Sequence, residues 1–470
     1  VGFESIKQNK GNRELWVMNA DGSDQKRLTR TPFSESNEAW IEGGKKIAFL
    51  GKNGETMQVF VMDADGSNRK CVSNVKDGVD GFVISPDEKK IAFISQVKYG
   101  ENVTDKHPDL KKSSARIIDD MMYRHWDEWV TTIPHTFVGD FDGSAITNVL
   151  DLLEGEQYEA PMKPFGGIES IAWAPDSESL IYVSRKKVGK EYSLSTNSDL
   201  YQYFVADGRT VNLTEGMMGY DTCPAFSHDG SKLAWLSMEH DGYESDKNRI
   251  FVLDIASGEK TDLTAEWDYT ADSFAWANDD RSIYFTAPYQ GTIPMFKIDV
   301  NTHKVDTIDC GEYDYAGVFV GKEQVYTLRH NYSAPNEIYA LAEGKQPAKL
   351  TSVNDEVLAQ IKPITWQKRL VPTTDGKEMT TWVVLPPDFD PNKKYPAILY
   401  CQGGPQSPVS QFWSSRWNLR LMASNGYIVI APNRRGLPGF GTEWNAQISG
   451  DYGGQNMKDY LSAVDYMKQE

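Results

Sequence analysis

Phe82-Val83-Ile84-Ser85-Pro86-Asp87-Glu88-Lys89-Lys90-Ile91-Ala92-Phe93 reads as a strand, a tight turn around Asp87 and a second strand. The same unit stands earlier as Ala39-Trp40-Ile41-Glu42-Gly43-Gly44-Lys45-Lys46-Ile47-Ala48-Phe49, and it returns from Ala172, Ala225, Ala275 and, in degenerate form, Val318. These starts lie 43, 90, 53, 50 and 43 residues apart, close to the roughly 40 to 50 residues of a four-stranded propeller blade. Each copy leads into a further strand and turn, as in residues 59–67 and 250–258, and several close on a Leu-Thr pair: Leu28-Thr29, Leu213-Thr214, Leu263-Thr264 and Leu350-Thr351. Residues 15–23 carry the same ending ahead of the first full copy, so a partial blade precedes six others and the expected array has seven. One such sheet cannot bury both faces alone, whereas radial stacking on two neighbours does so and leaves only short edges. The Asp63-x-Asp65-Gly66 turn is read as a hairpin and not a calcium loop, because its glycine falls two positions early and no Glu closes it.

The 90-residue interval is about twice the period, which places an insertion at about 96–134 inside blade three. Long insertions in repeat arrays gather on one rim, often the working one. This one holds Met121-Met122-Tyr123-Arg124-His125-Trp126-Asp127-Glu128-Trp129. Two compatible readings follow. The segment is a helical arm packing its Trp and Met against the propeller, or a substrate-contacting arm built from Arg124, Trp126, Asp127 and Glu128, in which Asp127 or Glu128 meets a peptide's terminal ammonium.

The blade rhythm stops after Asn354, giving a propeller over 1–354 and a second domain over 363–470. The second begins with a hairpin through Thr374-Asp375-Gly376, followed by a strand at 397–401, a Gly-Gly-Pro turn, a helical stretch over about 412–424, an Asn425-Gly426 stop and a buried strand at 427–430. Strand, helix, strand with Gly at the helix end is a crossover unit of an α/β sheet. Residues 455–470 place Met457, Tyr460, Leu461, Val464 and Met467 on one helix face. Two crossover strands with helices ready to cover more of them are an unfinished sheet, so the sequence is expected to stop in the middle of a fold.

Composition narrows the function. The 470 residues carry 49 Lys+Arg against 67 Asp+Glu, a net charge of −18, which repels nucleic-acid phosphates and anionic lipid headgroups. Apolar runs such as Tyr427-Ile428-Val429-Ile430 fall far short of the roughly 20 residues of a membrane helix. Neither nucleic acid nor a membrane is an expected partner. Cys71, Cys223, Cys310 and Cys401 stand far apart without a C-x-x-C and are read as buried thiols. With no His-Glu-x-x-His and no Cys/His cluster at ligand spacing, no metal or cofactor is expected.

The ordered string Gln402-Gly403-Gly404-Pro405, Asn433-Arg434-Arg435-Gly436-Leu437-Pro438-Gly439-Phe440-Gly441 and Gly450-Asp451-Tyr452-Gly453-Gly454, behind such blades, resembles the prolyl oligopeptidase family of serine peptidases. Within it, the Tyr-Arg-His-Trp-Asp-Glu-Trp insert is most similar to the branch of dipeptidyl-peptidase V and acylaminoacyl-peptidases. The resemblance implies a propeller capping an α/β-hydrolase domain that cuts oligopeptides near the free N-terminus through a Ser-His-Asp acyl-enzyme mechanism. It implies an oxyanion-hole donor at the Gly403-Gly404 turn and His or Tyr where Gln402 stands. Gln402, Arg434 and Arg435 are the further candidates for substrate binding; the two arginines flank a tight turn, one expected in a structural ion pair and the other facing the cleft, and the sequence does not choose between them. The Gly450–Gly454 string is read as a helix-entry turn with Asp451 or a neighbour capping.

No G-x-S-x-G occurs, and all seven histidines, the last being His330, precede the hydrolase portion. Since the fold orders its triad Ser, Asp, His, the resemblance puts all three beyond Glu470. The 470 residues alone are then expected to hydrolyse nothing, with the remaining hydrolase segment supplied by the same gene or a companion chain. A homodimer and the compartment stay open, periplasmic or secreted against cytoplasmic. The alternatives are a non-catalytic propeller scaffold with a hydrolase remnant, and an acylaminoacyl-peptidase or esterase.

Overall fold

A computed structural model of the chain describes residues 2–5, 10–342, 344–404 and 407–469. Pro405 and Glu470, quoted above, lie outside the described residues. By compactness the chain forms two units, residues 1–244 with 253–259, and residues 245–252 with 260–470.

The first unit holds three four-stranded antiparallel sheets in blade order. They comprise Ser36–Ile41, Lys46–Asn53, Thr56–Asp63 and Lys70–Cys71; then Gly81–Ile84, Lys90–Lys98, Thr132–Phe141 and Ile146–Asp151; then Ile171–Trp173, Ser179–Ser184, Asp199–Phe204 and Thr210–Asn212. Their first strands touch in succession, Ser36–Ile41 against Gly81–Ile84, which in turn meets Ile171–Trp173. That is the contact expected of sheets stacked about a common axis. Two-stranded pairs, Gly2–Ser5 with Lys10–Arg13 and Trp16–Val17 with Lys26–Arg27, precede them. Apolar side chains fill the spaces between sheets: Val59, Val61, Phe82, Phe93 and Phe141 in one layer, Ala92, Leu180, Tyr182 and Trp173 in the next.

The insertion leaves and re-enters one sheet at adjacent points, since Lys98 pairs with Thr132, so both strands run further than the 96–134 boundaries suggest. The helical arm is corrected. Between these strands the segment forms only a four-residue helix, Val103–Lys106, and a hairpin of Arg124–His125 with Glu128–Trp129. Trp126 at its tip has φ +50°, a left-handed conformation that a helix cannot contain.

The Leu-Thr endings have a physical role that recurs in both units. In each, a buried hydroxyl accepts an N–H in or just before a strand of its sheet: Thr29 from Leu15 at 2.9 Å, Thr214 from Leu200 at 3.0 Å, Thr264 from Ile250 at 3.0 Å and Thr351 from Ile338 at 2.9 Å. Ser73 does the same for Val59 at 2.8 Å. Each hydroxyl spends its proton on a neighbouring acceptor: Glu14, Asp199, Asp262, Glu337 and Gln58 in turn. A hydroxyl is both donor and acceptor, so one side chain closes the ladder where the backbone partner ends.

The second unit has two more such sheets, Phe274–Trp276, Ser282–Thr286, Met295–Asp299 and Val305–Thr307, then Asp314–Val320, Val325–Asn331, Ala334–Leu341 and Ala348–Lys349. The intervening repeat, with strands Asp221–Phe226, Lys232–Ser237, Arg249–Asp254 and Lys260–Asp262, contributes to both units.

From Thr365 the rhythm gives way to a mixed sheet in the order Thr365–Pro372, Glu378–Leu385, Ile428–Pro432, Ala397–Leu399. The first three strands pair antiparallel and the last is parallel, with Ala397 opposite Ile428. Alternate residues feed two cores. Val384, Val429 and Ala431 pack with Leu419 and Ala423 of the helix Leu419–Ser424. Val371, Met379 and Ile430 pack with Trp444 and with Ala463 of the helix Gln455–Met467. The helix expected over about 412–424 is thus shorter, starting where Asn418 caps it through the Leu421 N–H at 2.9 Å.

The apolar face expected for the last helix holds in part: Tyr460 is buried and Met467 packs on the core of Ile430 and Ala463, but Met457 and Leu461 are exposed, and the other buried residues are Asn456, Asp459 and Ala463. The buried-thiol reading holds for Cys310 alone, since Cys71 and Cys223 are half-buried and Cys401 is exposed. Among the described residues no helix is long and apolar enough to cross a membrane.

Candidate active-site turn and substrate arm

Strand Ala397–Leu399 runs into Tyr400-Cys401-Gln402-Gly403-Gly404, a turn at the C-terminal end of the parallel-paired strand, where open α/β sheets bind their ligands. Gly403 and Gly404 are exposed, and a Cβ on Gly403 would meet nothing within 4 Å. Gly404 has φ +124°, a backbone state that a side chain resists.

The turn is held from beneath. Arg434 Nη2 donates to the Gln402 carbonyl at 2.9 Å, and the Tyr460 hydroxyl donates to the same oxygen at 3.1 Å. Arg434 Nε donates to the Tyr460 hydroxyl at 3.1 Å, and Nη1 reaches the Arg435 carbonyl at 2.7 Å. Further along, Asn433 clasps Val409, accepting its N–H at 2.9 Å and donating to its carbonyl at 2.8 Å. Gly436, at φ +91°, lets the chain turn tightly past this cluster, because a Cβ there would come within 2.5 Å of Ile448 and 2.7 Å of Arg434 Nη1.

Both arginines are buried, and neither side chain faces outward. Arg435 reaches Asp375 with two bonds of 2.5 and 2.6 Å, and its Nε lies 3.4 Å from buried Asp459. A guanidinium so committed holds the chain in place, which replaces the expected contact with substrate for Arg435. The hydrogen bonds from Arg435, then Thr373, hold the Asp375 carboxyl well below the usual carboxylate range. Burial pushes the Tyr460 hydroxyl up, opposed by Arg434, and partial desolvation of the sulfur pushes the Cys401 thiol up, also opposed by Arg434. Asp451 enters the last helix as expected, accepting the Gln455 N–H at 3.0 Å.

In the first unit the tip of the inserted hairpin presents Trp126, 76% exposed and edge-on to exposed Phe165 at 5.8 Å. Asp127 and Glu128 are exposed beside it. Arg124 donates to the Asp127 carbonyl at 3.1 Å and lies 4.8 Å from the Trp129 ring, which also receives Arg116 at 4.5 Å. The hairpin is anchored by His125, whose Nε2 is 2.8 Å from Glu159. Glu159 is buried, and also accepts from the Tyr192 hydroxyl at 2.7 Å and the Lys163 N–H at 3.1 Å. Burial, with Glu159 adding, pushes the Tyr192 hydroxyl far up, so it stays a donor.

The structure therefore joins Gln402, Arg434 and Tyr460 in one cluster, and gathers Arg124, Trp126, Asp127 and Glu128 on one hairpin. Glu159 and Tyr192 sit in no sequence motif; Asn433 stands in the sequence only as a member of the motif string and Tyr460 only as a residue of an apolar stripe, with nothing to mark their contacts.

The chain thus sets four-stranded antiparallel sheets of a repeated unit ahead of a mixed sheet whose parallel-paired strand ends in an exposed glycine turn. A family model described as the prolyl oligopeptidase family matches residues 413–470. Dipeptidyl-peptidase 5 of Porphyromonas gingivalis is 53% identical over 471 residues, covering 100% of this chain and 69% of that protein. Dipeptidyl-peptidase 5 of Porphyromonas endodontalis is 48% identical, covering 100% and 68%. Among solved structures, the acylaminoacyl peptidase of Pyrococcus horikoshii superposes with a TM-score of 0.78 at 18% identity, over 99% of this chain and 68% of that one. The chain belongs to the prolyl oligopeptidase family of serine peptidases.

Proposed function

We propose that the protein is a serine dipeptidyl-peptidase that releases dipeptides from the free N-terminus of oligopeptides by acyl transfer. The observation that carries this reading is the 53% identity to a dipeptidyl-peptidase 5 across the whole chain. In this reading the sheet repeats form seven blades over 1–354, and residues 363–470 form the opening portion of the hydrolase domain. The exposed Gly403-Gly404 turn supplies an oxyanion donor without side-chain bulk. Because these residues contain no G-x-S-x-G and every histidine precedes the mixed sheet, the nucleophile, acid and base are assigned to residues outside this sequence. Asp127 and Glu128, exposed on the hairpin tip, are the candidates for receiving the substrate's ammonium, with Arg124 and Trp126 shaping the contact. Arg434 acts through Gln402, from beneath the turn.

The test is a panel of chromogenic nitroanilides given to the full-length gene product: free dipeptidyl, N-acetylated dipeptidyl, aminoacyl and N-acylaminoacyl. Turnover confined to the free dipeptidyl compounds and blocked by a fluorophosphonate is expected. Preferred cleavage of N-acylaminoacyl compounds would overturn the dipeptidyl assignment, and no covalent fluorophosphonate labelling would overturn the serine mechanism. Asp127→Asn with Glu128→Gln should raise KM for free-amine substrates by roughly tenfold or more, as loss of a charged contact does, and leave kcat nearly unchanged.

A further inference from the structure

We infer that Arg434 and Tyr460 are positioning residues for a transition-state donor, acting through the Gln402 carbonyl; this rests on the peptidase reading of the Gly403-Gly404 turn. The Gln402 carbonyl and the Gly403 N–H belong to one planar peptide group. Among the described residues cis peptide bonds occur only before Pro161 and Pro164, so this one is trans, and its carbonyl and N–H point in opposite directions. Pinning the carbonyl therefore aims the N–H.

The pin is unusually complete. Two donors from different elements converge on one oxygen, Arg434 Nη2 at 2.9 Å and the Tyr460 hydroxyl at 3.1 Å, and they are bonded to each other at 3.1 Å. Both side chains are buried. The carbonyl is thus drawn inward and the Gly403 N–H is presented on the opposite, exposed side. Glycine at 403 and 404 leaves the peptide free to rotate if nothing holds it, so the rigidity that an oxyanion donor needs must come from outside the turn. Arg435 takes the carboxylates of Asp375 and Asp459, while Arg434 is spent on the Gln402 and Arg435 carbonyls and the Tyr460 hydroxyl.

A donor aimed at the developing oxyanion strengthens its bond only in the transition state, so loosening it lowers kcat and spares KM. The test uses Tyr460→Phe and Arg434→Met in the full-length gene product, with a dipeptidyl nitroanilide as substrate. A dipeptidyl boronic acid serves as a mimic of the tetrahedral state, and the product dipeptide as a ground-state ligand. Tyr460→Phe, which keeps the ring and its packing, should lower kcat and boronate affinity by about 5- to 10-fold, and Arg434→Met by roughly 100-fold, approaching the cost of one oxyanion donor. Dipeptide affinity and KM should stay within about twofold. Gly403→Pro, which removes the N–H and also fixes φ near about −65°, should lower kcat and boronate affinity at least as far as Arg434→Met while dipeptide affinity is kept. If Gly403→Pro loses kcat and boronate affinity but keeps dipeptide affinity, while Tyr460→Phe and Arg434→Met keep the parental kcat, the positioning role is overturned and the oxyanion reading stands. If Gly403→Pro keeps the parental kcat, both fall. Equal losses in kcat, KM and dipeptide affinity would also overturn the positioning role, because they report a collapsed site. Should Arg434→Met fail to fold, Tyr460→Phe decides alone.

Discussion

Replacing Thr264 by valine should open one strand edge of the repeat array without disturbing its apolar packing. Thr264 is fully buried, as is Ile250, and the Thr264 hydroxyl accepts the Ile250 N–H at 3.0 Å while donating to Asp262 at 3.0 Å. Valine keeps the shape and removes the oxygen. Asp262 still receives the residue 264 N–H at 2.9 Å and keeps Arg249 nearby at 3.9 Å, so the carboxylate is not abandoned. The Ile250 N–H is. A buried donor left without an acceptor costs about 1–3 kcal/mol, and the midpoint, about 2 kcal/mol, corresponds to roughly a 30-fold rise in the local opening constant.

Serine at the same position separates this from a packing effect. It keeps the hydroxyl and removes one methyl, a loss of about 1 kcal/mol. In a protein of this size a single unfolding midpoint is not a clean free energy, so the assay is amide hydrogen exchange read on peptides covering residues 249–254. Thr264→Val should speed exchange at Ile250 by about 30-fold and leave Val252 and Leu253 much closer to the parent; Thr264→Ser should spread a smaller change over the strand. Equal exchange at Ile250 in the parent and in Thr264→Val would refute the idea that the hydroxyl completes the ladder. It would remove the same explanation from Thr29, Ser73, Thr214 and Thr351.

Three further outcomes are expected. Asp221 is fully buried, receives the Trp235 indole N–H at 2.8 Å, and has its pKa pushed up to about 7 by burial, against hydrogen bonds from Ser237 and others. Its folded form binds a proton that the unfolded chain has lost above about pH 4, so it lowers stability progressively as pH rises from there to about 7, and Asp221→Asn should flatten that part of a melting-temperature profile. Asp375, depressed by Arg435, works in the opposite sense: its contribution is present above the ordinary carboxylate range and is lost as pH falls through its lower folded value; Asp375→Asn should lower the melting temperature at pH 7 and shrink the difference from the parent under strong acid. Gly454→Ala should lower the melting temperature by about 1–2 °C, the order expected for about 1–2 kcal/mol in a chain of this length, since its Cβ would lie 1.9 and 2.0 Å from the oxygens of the Asp451 carboxylate that caps the last helix.

Much of the array is legible because its signals are local. The strand-turn-strand unit recurs at a similar period, and the alternating burial that opens a strand such as Val325–Asn331, with Val325 and Thr327 buried and Tyr326 and Leu328 half-buried, follows directly from side-chain alternation. The Gly-Gly turn and the strand before it are equally local. The inserted hairpin is not: Met121 to Trp129 has no alternation and no Gly-bearing turn, and what fixes its shape is remote, His125 on Glu159 and Arg116 stacked on Trp129. A pattern of polar and apolar residues does not encode such pairings. The clamp beneath Gln402 is hidden for the same reason, since its donors come from residues 434 and 460, 32 and 58 positions away along the chain.

The last helix shows how a buried charge can overrule hydropathy. Met457, Leu461 and Val464 lie on one side of the helix, and transfer energy alone would turn that side to the sheet, at about 1.5–3 kcal/mol for each large apolar side chain. Arg434 and Arg435 follow the central strand directly and are carried under the sheet edge with it. A guanidinium buried without a partner costs several kcal/mol, more than an exposed methionine or leucine. Turning Asp459 and Tyr460 inward meets both needs at once: Asp459 accepts the Arg435 N–H at 3.1 Å and stands beside its Nε, and Tyr460 joins Arg434 on the Gln402 carbonyl. Ala463, one turn on, is small enough to let the helix approach the sheet at Ile430 and Met379. The same rotation that leaves Met457 and Leu461 in solvent therefore brings to the glycine turn the hydroxyl that fixes its peptide plane.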